Sequence, residues 1–118
     1  MAKRYALDIQ GVNFVDTKLK SIKKMYIANS QLSNPANVNV VVGDADIAGG
    51  SSIDTNTFYF IRNVKIPEGA TLCLEDLRAD SIFTVAGDTF SSTNIIPSST
   101  ILISCSDSGD RVDVIIEA

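Results

Sequence analysis

Histidine and tryptophan are absent from this chain of 118 residues, cysteine occurs twice and proline three times. Without histidine the commonest general base and the commonest metal ligand are missing. Serine–histidine and cysteine–histidine nucleophile systems are therefore excluded. Two cysteines alone make no structural zinc site unless carboxylates join them, and no spacing suggests that they do. The glycine stretch Gly49-Gly50-Ser51-Ser52 lacks the lysine and the strand–loop–helix setting of a phosphate-binding loop. No apolar run approaches the length that crosses a bilayer. The lack of tryptophan leaves little aromatic platform for a sugar. The expectation is a protein that is not an enzyme, carries no cofactor and binds no metal.

What is present suits one globular domain, 1–118, with 45% hydrophobic and 20% charged residues. A chain of this size buries roughly two-thirds of the surface its unfolded form exposes, enough for a core without staples. Met1–Tyr5 leads directly into Leu7-Asp8-Ile9 without an apolar leader region, so synthesis in the cytoplasm is expected. Cys73 and Cys105 sit in separate apolar segments. They either pair, if their strands adjoin, or act as two small buried hydrophobes.

Charge is divided along the chain. Residues 1–24 hold six cations, Lys3, Arg4, Lys18, Lys20, Lys23 and Lys24, against Asp8 and Asp16, a net of +4; with the whole chain at −4, the remainder carries −8. Such poles can steer docking onto an oppositely charged neighbour, which makes these six cations the candidate partner interface. Solvated strand faces are the alternative. Nucleic acid is not an expected partner, because the acidic balance repels phosphates and few aromatics interleave the cations.

The dominant periodicity is alternation. Val38, Val40 and Val42, then Ile101, Ile103 and Cys105, then Val112, Val114 and Ile116 recur at every second position. Each set predicts an apolar face and a more mixed one, as in a sheet covered mainly on one side. Further strands are expected at Tyr5–Ile9, Leu19–Asn29, Thr57–Ile66 and Ala70–Asp76, with a weaker one at Ile82–Ala86. Ile22 is out of phase with Met25 and Ile27, so either both faces are partly buried or a bulge corrects the phase. Thr57–Ile66, long and aromatic, is expected to cross the centre of a sheet. Pro67-Glu68-Gly69 reads as a turn, with proline presetting φ and glycine accepting a positive one. Asp107–Asp110 is expected to close an antiparallel hairpin between the last two strands. Gly43–Asn56 and Thr89–Ser99 read as mobile loops. The fold class that follows is all-β, a single antiparallel β-sandwich of the jelly-roll or immunoglobulin-like kind with about seven or eight strands. The stretch 1–18 is either its first strand and a connection or a docking arm.

The carboxylates carry little. Asp44-x-Asp46 with Asp54 faintly suggests a calcium loop, but the register fails the twelve-residue pattern. Glu75 and Asp76 are adjacent in a strand and so face opposite ways. Asp107, Asp110 and Asp113 fit turn chemistry and an exposed strand face.

An ordered set of segments resembles a known family. Ile22–Ser30 is similar to a strand ending in an alanine–asparagine pair, and the alternating Val38–Val42 strand follows. Val64–Leu72 looks like the family's "IP-x-G-x-x-L" turn; then come Gly87-Asp88 and the closing Val112–Glu117. Over residues 20–118 the chain thus resembles the small β-sandwich virion structural proteins of tailed bacteriophages, especially those of marine cyanobacteria. The resemblance implies a non-enzymatic virion component present in many copies, as a homo-oligomer or bound to a lattice, with other virion proteins as partners and neither nucleic acid nor membrane. Its most concrete form is a decoration or minor capsid protein docked on major capsid subunits. A neck, tail or baseplate protein is an alternative. Another is a carbohydrate- or host-surface-binding module using the two long loops, and a calcium-stabilised adhesive domain is the last.

Overall fold

The computed structural model describes residues 3–54, 57–79 and 99–118. Among these residues, eight strands run in the order β1 (Arg4–Gln10), β2 (Val15–Asp16), β3 (Ser21–Ala28), β4 (Ala36–Asp44), β5 (Phe58–Ile66), β6 (Thr71–Arg78), β7 (Ser99–Cys105) and β8 (Arg111–Glu117), with one 3₁₀ turn at Ala45–Ile47. They form two four-stranded sheets, a front sheet β1-β8-β3-β6 and a back sheet β2-β7-β4-β5. Every strand pair is antiparallel. The protein is an all-β sandwich.

Its topology decides between the two expected kinds. First pairs with last (β1·β8), then β2·β7, β3·β6 and β4·β5 inward along the chain, which is a long ribbon rolled upon itself. All chain connections except β4 to β5 pass from one sheet to the other. That is a jelly roll. The stretch before Lys18 contributes β1, paired along its whole length with β8, and the short β2.

Rolling overturns two expectations. β7 and β8 form no hairpin: they lie in different sheets, and Asp107–Asp110 is a turn between layers, in which the Asp110 N–H donates to the Asp107 carbonyl at 3.2 Å. Short connections usually join hairpins, but a sandwich corner is just as short. Thr57–Ile66 is not central either, since β5 is an edge strand whose neighbour is β4. Its aromatics are only partly covered, Phe60 being 36% exposed, so aromatic content there marks neither burial nor a central place in the sheet. Ile82–Ala86, Gly87-Asp88 and most of Thr89–Ser99 fall outside the described residues.

The core lies between the sheets. Ile9, Met25, Ile27, Val112, Val114 and Ile116 from the front meet Val38, Val40, Ile101, Ile103 and Cys105 from the back, all buried. Full burial of a large aliphatic side chain is worth about 1.5–3 kcal/mol, so this double row is the main source of cohesion. β8 keeps strict alternation of buried and exposed residues, whereas β4 and β7 are buried on both faces over much of their length. The expected solvated face is therefore reduced on β4 and β7 and remains on the edge strand β5. Phe14, Val41, Ile47 and Leu102, joined by Tyr59, form a second small cluster on its outer side. The Phe14 N–H donates to the Gly50 carbonyl at 2.8 Å, and the Gly49 N–H returns one to Phe14 at 2.8 Å. These bonds fold part of the long β4–β5 connection over the sheet.

The phase problem in β3 is solved by a bulge. Ile22 faces Leu77 and Lys24 faces Glu75, while Lys23 and Asp76 between them make no pair. Asp76 takes a left-handed φ of 55°. One extra residue on each strand shifts both phases together, so Ile22 and Leu77 point inward like Met25. At the other end the Ala70 N–H donates to the Pro67 carbonyl at 3.1 Å, with Gly69 at φ 77° in the third turn position. Gly69 thus has the expected role, but Pro67 precedes the position whose φ it was expected to preset.

Candidate functional site

Among the described residues, the outer face of the front sheet is exposed. Register places its outward side chains in rows across the strands in the order β1, β8, β3, β6. The first row is Arg4, Glu117, Lys24, Glu75; the second is Ala6, Ile115, Tyr26, Cys73; the third is Asp8, Asp113, Ala28, Thr71. Adjacent members sit about 5 Å apart, close enough to interact.

The first row alternates in sign along its whole length. Arg4 bonds Glu117 at 3.1 Å and Lys24 approaches Glu75 at 4.0 Å. Such exposed pairs contribute about 0–1 kcal/mol each, so the row matters as a pattern of potential more than as stability. The second row is apolar in its middle, with Ile115 49% exposed and Tyr26 half-buried beside it. In the third row Arg111 grips Asp8 through both oxygens, at 3.0 and 3.2 Å. A hydrogen bond from Gln10, and then those from Arg111, hold the Asp8 carboxyl below its ordinary value of 3.8.

The six sequence-selected cations gather toward the starting ends of β1 and β3, which run side by side on either flank of β8. They do not form a bare positive patch. Arg4 and Lys24 alternate with Glu117 and Glu75, Lys23 lies in the bulge beside Asp76, and Lys3 precedes β1, its carbonyl accepting from the Ala118 N–H at 2.9 Å. Lys18 and Lys20 are exposed in the connection into β3, where Lys18 takes a φ of 59°. The split of charge along the chain becomes a weave across the sheet, because strands distant in sequence are neighbours in space.

Composition and alternation missed the apolar second row, whose members come from four strands. One signal was legible: Ile115 stands in the polar phase of β8, between the outward residues Asp113 and Glu117.

The cysteines are both free. Cys73 is exposed on the front face and Cys105 is buried in the core from the back sheet, so they neither pair nor share the buried role expected for them. Burial, followed by the charge of Asp110, pushes the Cys105 thiol up to about 11.

A polar groove of about 540 Å³ lies on the back sheet beside Phe14, lined by Asn39, Tyr59, Arg62, Ser104, Ser106 and Asp107 among others. Asn39 organises it, donating to Ser104 and Ser106 at 3.3 and 3.1 Å and accepting from the Asn63 N–H at 2.8 Å. The Arg62 guanidinium sits over the Tyr59 ring at 5.0 Å. Among the described residues no three His, Cys, Asp or Glu side chains gather in a way that could hold a metal ion, and Asp44, Asp46 and Asp54 make no such group.

No protein-family model and no curated protein matches the chain. The functional reading therefore rests on the surfaces just described and on the residue-level resemblance.

Proposed function

We propose that this protein is a non-enzymatic structural subunit of a tailed-bacteriophage particle, a decoration or minor capsid protein that docks on major capsid subunits and stabilises the head. The observation that carries the reading is the uncovered front face, an apolar row bordered by an alternating charge row on a rigid sheet. Apolar contact supplies affinity there, and the charge row supplies register and discrimination. The jelly roll suits it, being a scaffold used by viral capsid domains among others, although a fold alone does not assign a function. Many copies on a symmetric shell also allow each contact to be weak. The partners in this reading are other virion proteins, and the place is the particle.

Quantitative protein analysis of purified particles tests it. Hundreds of copies per particle are expected. A copy number of six or twelve would move the protein to the neck, tail or baseplate, and absence from the particle would overturn the virion reading.

A second reading is favoured by the back-sheet groove. Its hydroxyls, amide, guanidinium and tyrosine are groups that bind sugars, which would make the protein a carbohydrate- or host-surface-binding module. Of the long loops expected to carry such a site, Gly43–Asn56 contributes Ser51 to the groove. Binding of the full chain to a glycan panel, lost in Arg62→Ala and Asn39→Ala, is the outcome that would favour it.

A further inference from the structure

The charge row on the front face has a property that its members do not have singly. Read from β1 to β6 it runs plus, minus, plus, minus; reversed, it runs minus, plus, minus, plus. A pattern that inverts its sign on reversal is complementary to itself. We propose that the front sheet is the interface of a symmetric dimer, in which a second copy of this chain docks face to face about a twofold axis parallel to the strands, between β8 and β3. The proposal rests on the structural-subunit reading and changes one part of it: the front face binds a second copy of the chain, and the ends of the pair, not this face, meet the shell.

That rotation exchanges β1 with β6 and β8 with β3. Arg4 then faces the partner's Glu75, and Glu117 faces the partner's Lys24. With the symmetric equivalents, all four charged positions of the row meet the opposite sign. In the second row Ile115 faces the partner's Tyr26 at the centre, while Ala6 faces the partner's Cys73 at the flanks. The bulkiest pair of the row, exposed Ile115 and half-buried Tyr26, thus meets on the axis. In the third row the two aspartates meet uncharged residues, Asp8 the partner's Thr71 and Asp113 the partner's Ala28.

The other face-to-face twofold, perpendicular to the strands, fails on the same residues. It sets Glu117 against the partner's Asp113, a like-charge contact, and leaves Lys24 opposite alanine. Among the described residues, the apolar part of the outer back sheet, Val41 and Leu102, is already covered by Phe14 and Ile47. Packed sheets lie about 10 Å apart with strands within about 30° of each other. The long side chains of the outer row can follow that twist.

Size sets the strength. Four strands span about 19 Å and seven residues about 24 Å, a footprint near 450 Å² per copy, against about 800 Å² per partner in a standard stable interface. The dimer is therefore weak and concentration-dependent in solution. An axis parallel to the strands points the same end of both copies in one direction, so a pair can seat two identical ends on one underlying lattice and gain by avidity.

Sedimentation velocity of the full chain from micromolar to near-millimolar concentration tests this, with melting curves to verify that each variant is folded. The wild type is expected to pass from monomer to dimer, and labelling of Cys73 by a maleimide to slow as it does. Ile115→Lys is expected to remain monomeric with Cys73 reactive throughout. Lys24→Glu should weaken association at least tenfold, and Lys24→Glu with Glu117→Lys should restore it to within about threefold. That double exchange puts like charges side by side within each chain while keeping every facing pair opposite. Recovery therefore reports the interface and not the fold. A wild type monomeric at all concentrations, association unchanged by Ile115→Lys, or a double variant no better than the single one would each overturn the dimer. A monomer found in hundreds of copies per particle would sink the dimer and keep the virion reading; a dimer absent from particles would do the reverse.

Discussion

Asn29 ties three backbone groups together through its side chain. It is buried, its Nδ2 donates to the carbonyls of Asn34 at 2.9 Å and Ile66 at 3.0 Å, and its Oδ1 accepts from the Gln31 N–H at 3.0 Å. It closes the connection from β3 to β4 and fastens it to the end of β5. Asn29→Ala strands those groups, so chemical denaturation should show a loss of about 1–3 kcal/mol. The two thiols should behave differently. At pH 8 a thiol reagent added to dilute folded protein should titrate one cysteine, the exposed Cys73. Cys105, protonated because its thiol is pushed up to about 11, should react only on unfolding. Asp8 sets an acid-side effect. A carboxyl held below its ordinary 3.8 stabilises the folded chain fully above that value, and the contribution is lost as pH falls through the depressed folded one. Its carboxyl resonance should titrate below 3.8, and Gln10→Ala should move the midpoint upward.

At the scale of elements, the paired bulge at Lys23 and Asp76 decides which side chains of β3 and β6 reach the core. Unbroken alternation from Met25 would turn Lys23 inward and Ile22 out. The structure does the opposite, with Ile22 1% exposed and Lys23 in solvent. Ile22→Ala and Leu77→Ala should therefore cost about 2–5 kcal/mol each, and Lys23→Ala less than about 0.5 kcal/mol, by equilibrium unfolding. The connection over the back sheet is likewise a packed element. Phe14→Ala removes the centre of its small cluster and should cost about 3 kcal/mol. Amide exchange at Phe14, Gly49 and Gly50 should accelerate, with the front sheet left protected.

For the molecule as a whole, the rolled ribbon places the first strand beside the last, Arg4 opposite Glu117. Nearly all pairing joins distant parts of the chain, and folding must close those loops before the pairing stabilises anything. Refolding should accordingly take milliseconds to seconds, which stopped-flow fluorescence of the three tyrosines would measure. The same topology puts β8 between β1 and β3. A chain lacking residues 111–118 should fail to fold at all, seen as loss of the cooperative transition, because both neighbours lose their partner and the core loses Val112, Val114 and Ile116.

The sequence by itself determined that the chain would be β-structured, where most strands lie and which residues they bury. Val112, Val114 and Ile116 show the reason: alternation is a local property, written in a few consecutive residues and readable without knowing the neighbours. Turn chemistry was partly legible for the same reason, as at Gly69. The two-residue β2 was not, being too short to show a period. Only the tertiary structure decided which strands adjoin, and hence that Asp107–Asp110 bridges layers, that β5 is an edge, and that Cys73 and Cys105 part company. It also decided the candidate site. Arg4, Glu117, Lys24 and Glu75 become one row, and Ala6, Ile115, Tyr26 and Cys73 another, only when four strands far apart in the chain take their places in one sheet. Pairing partners are set by how the ribbon rolls, a global packing choice that no short window of residues records.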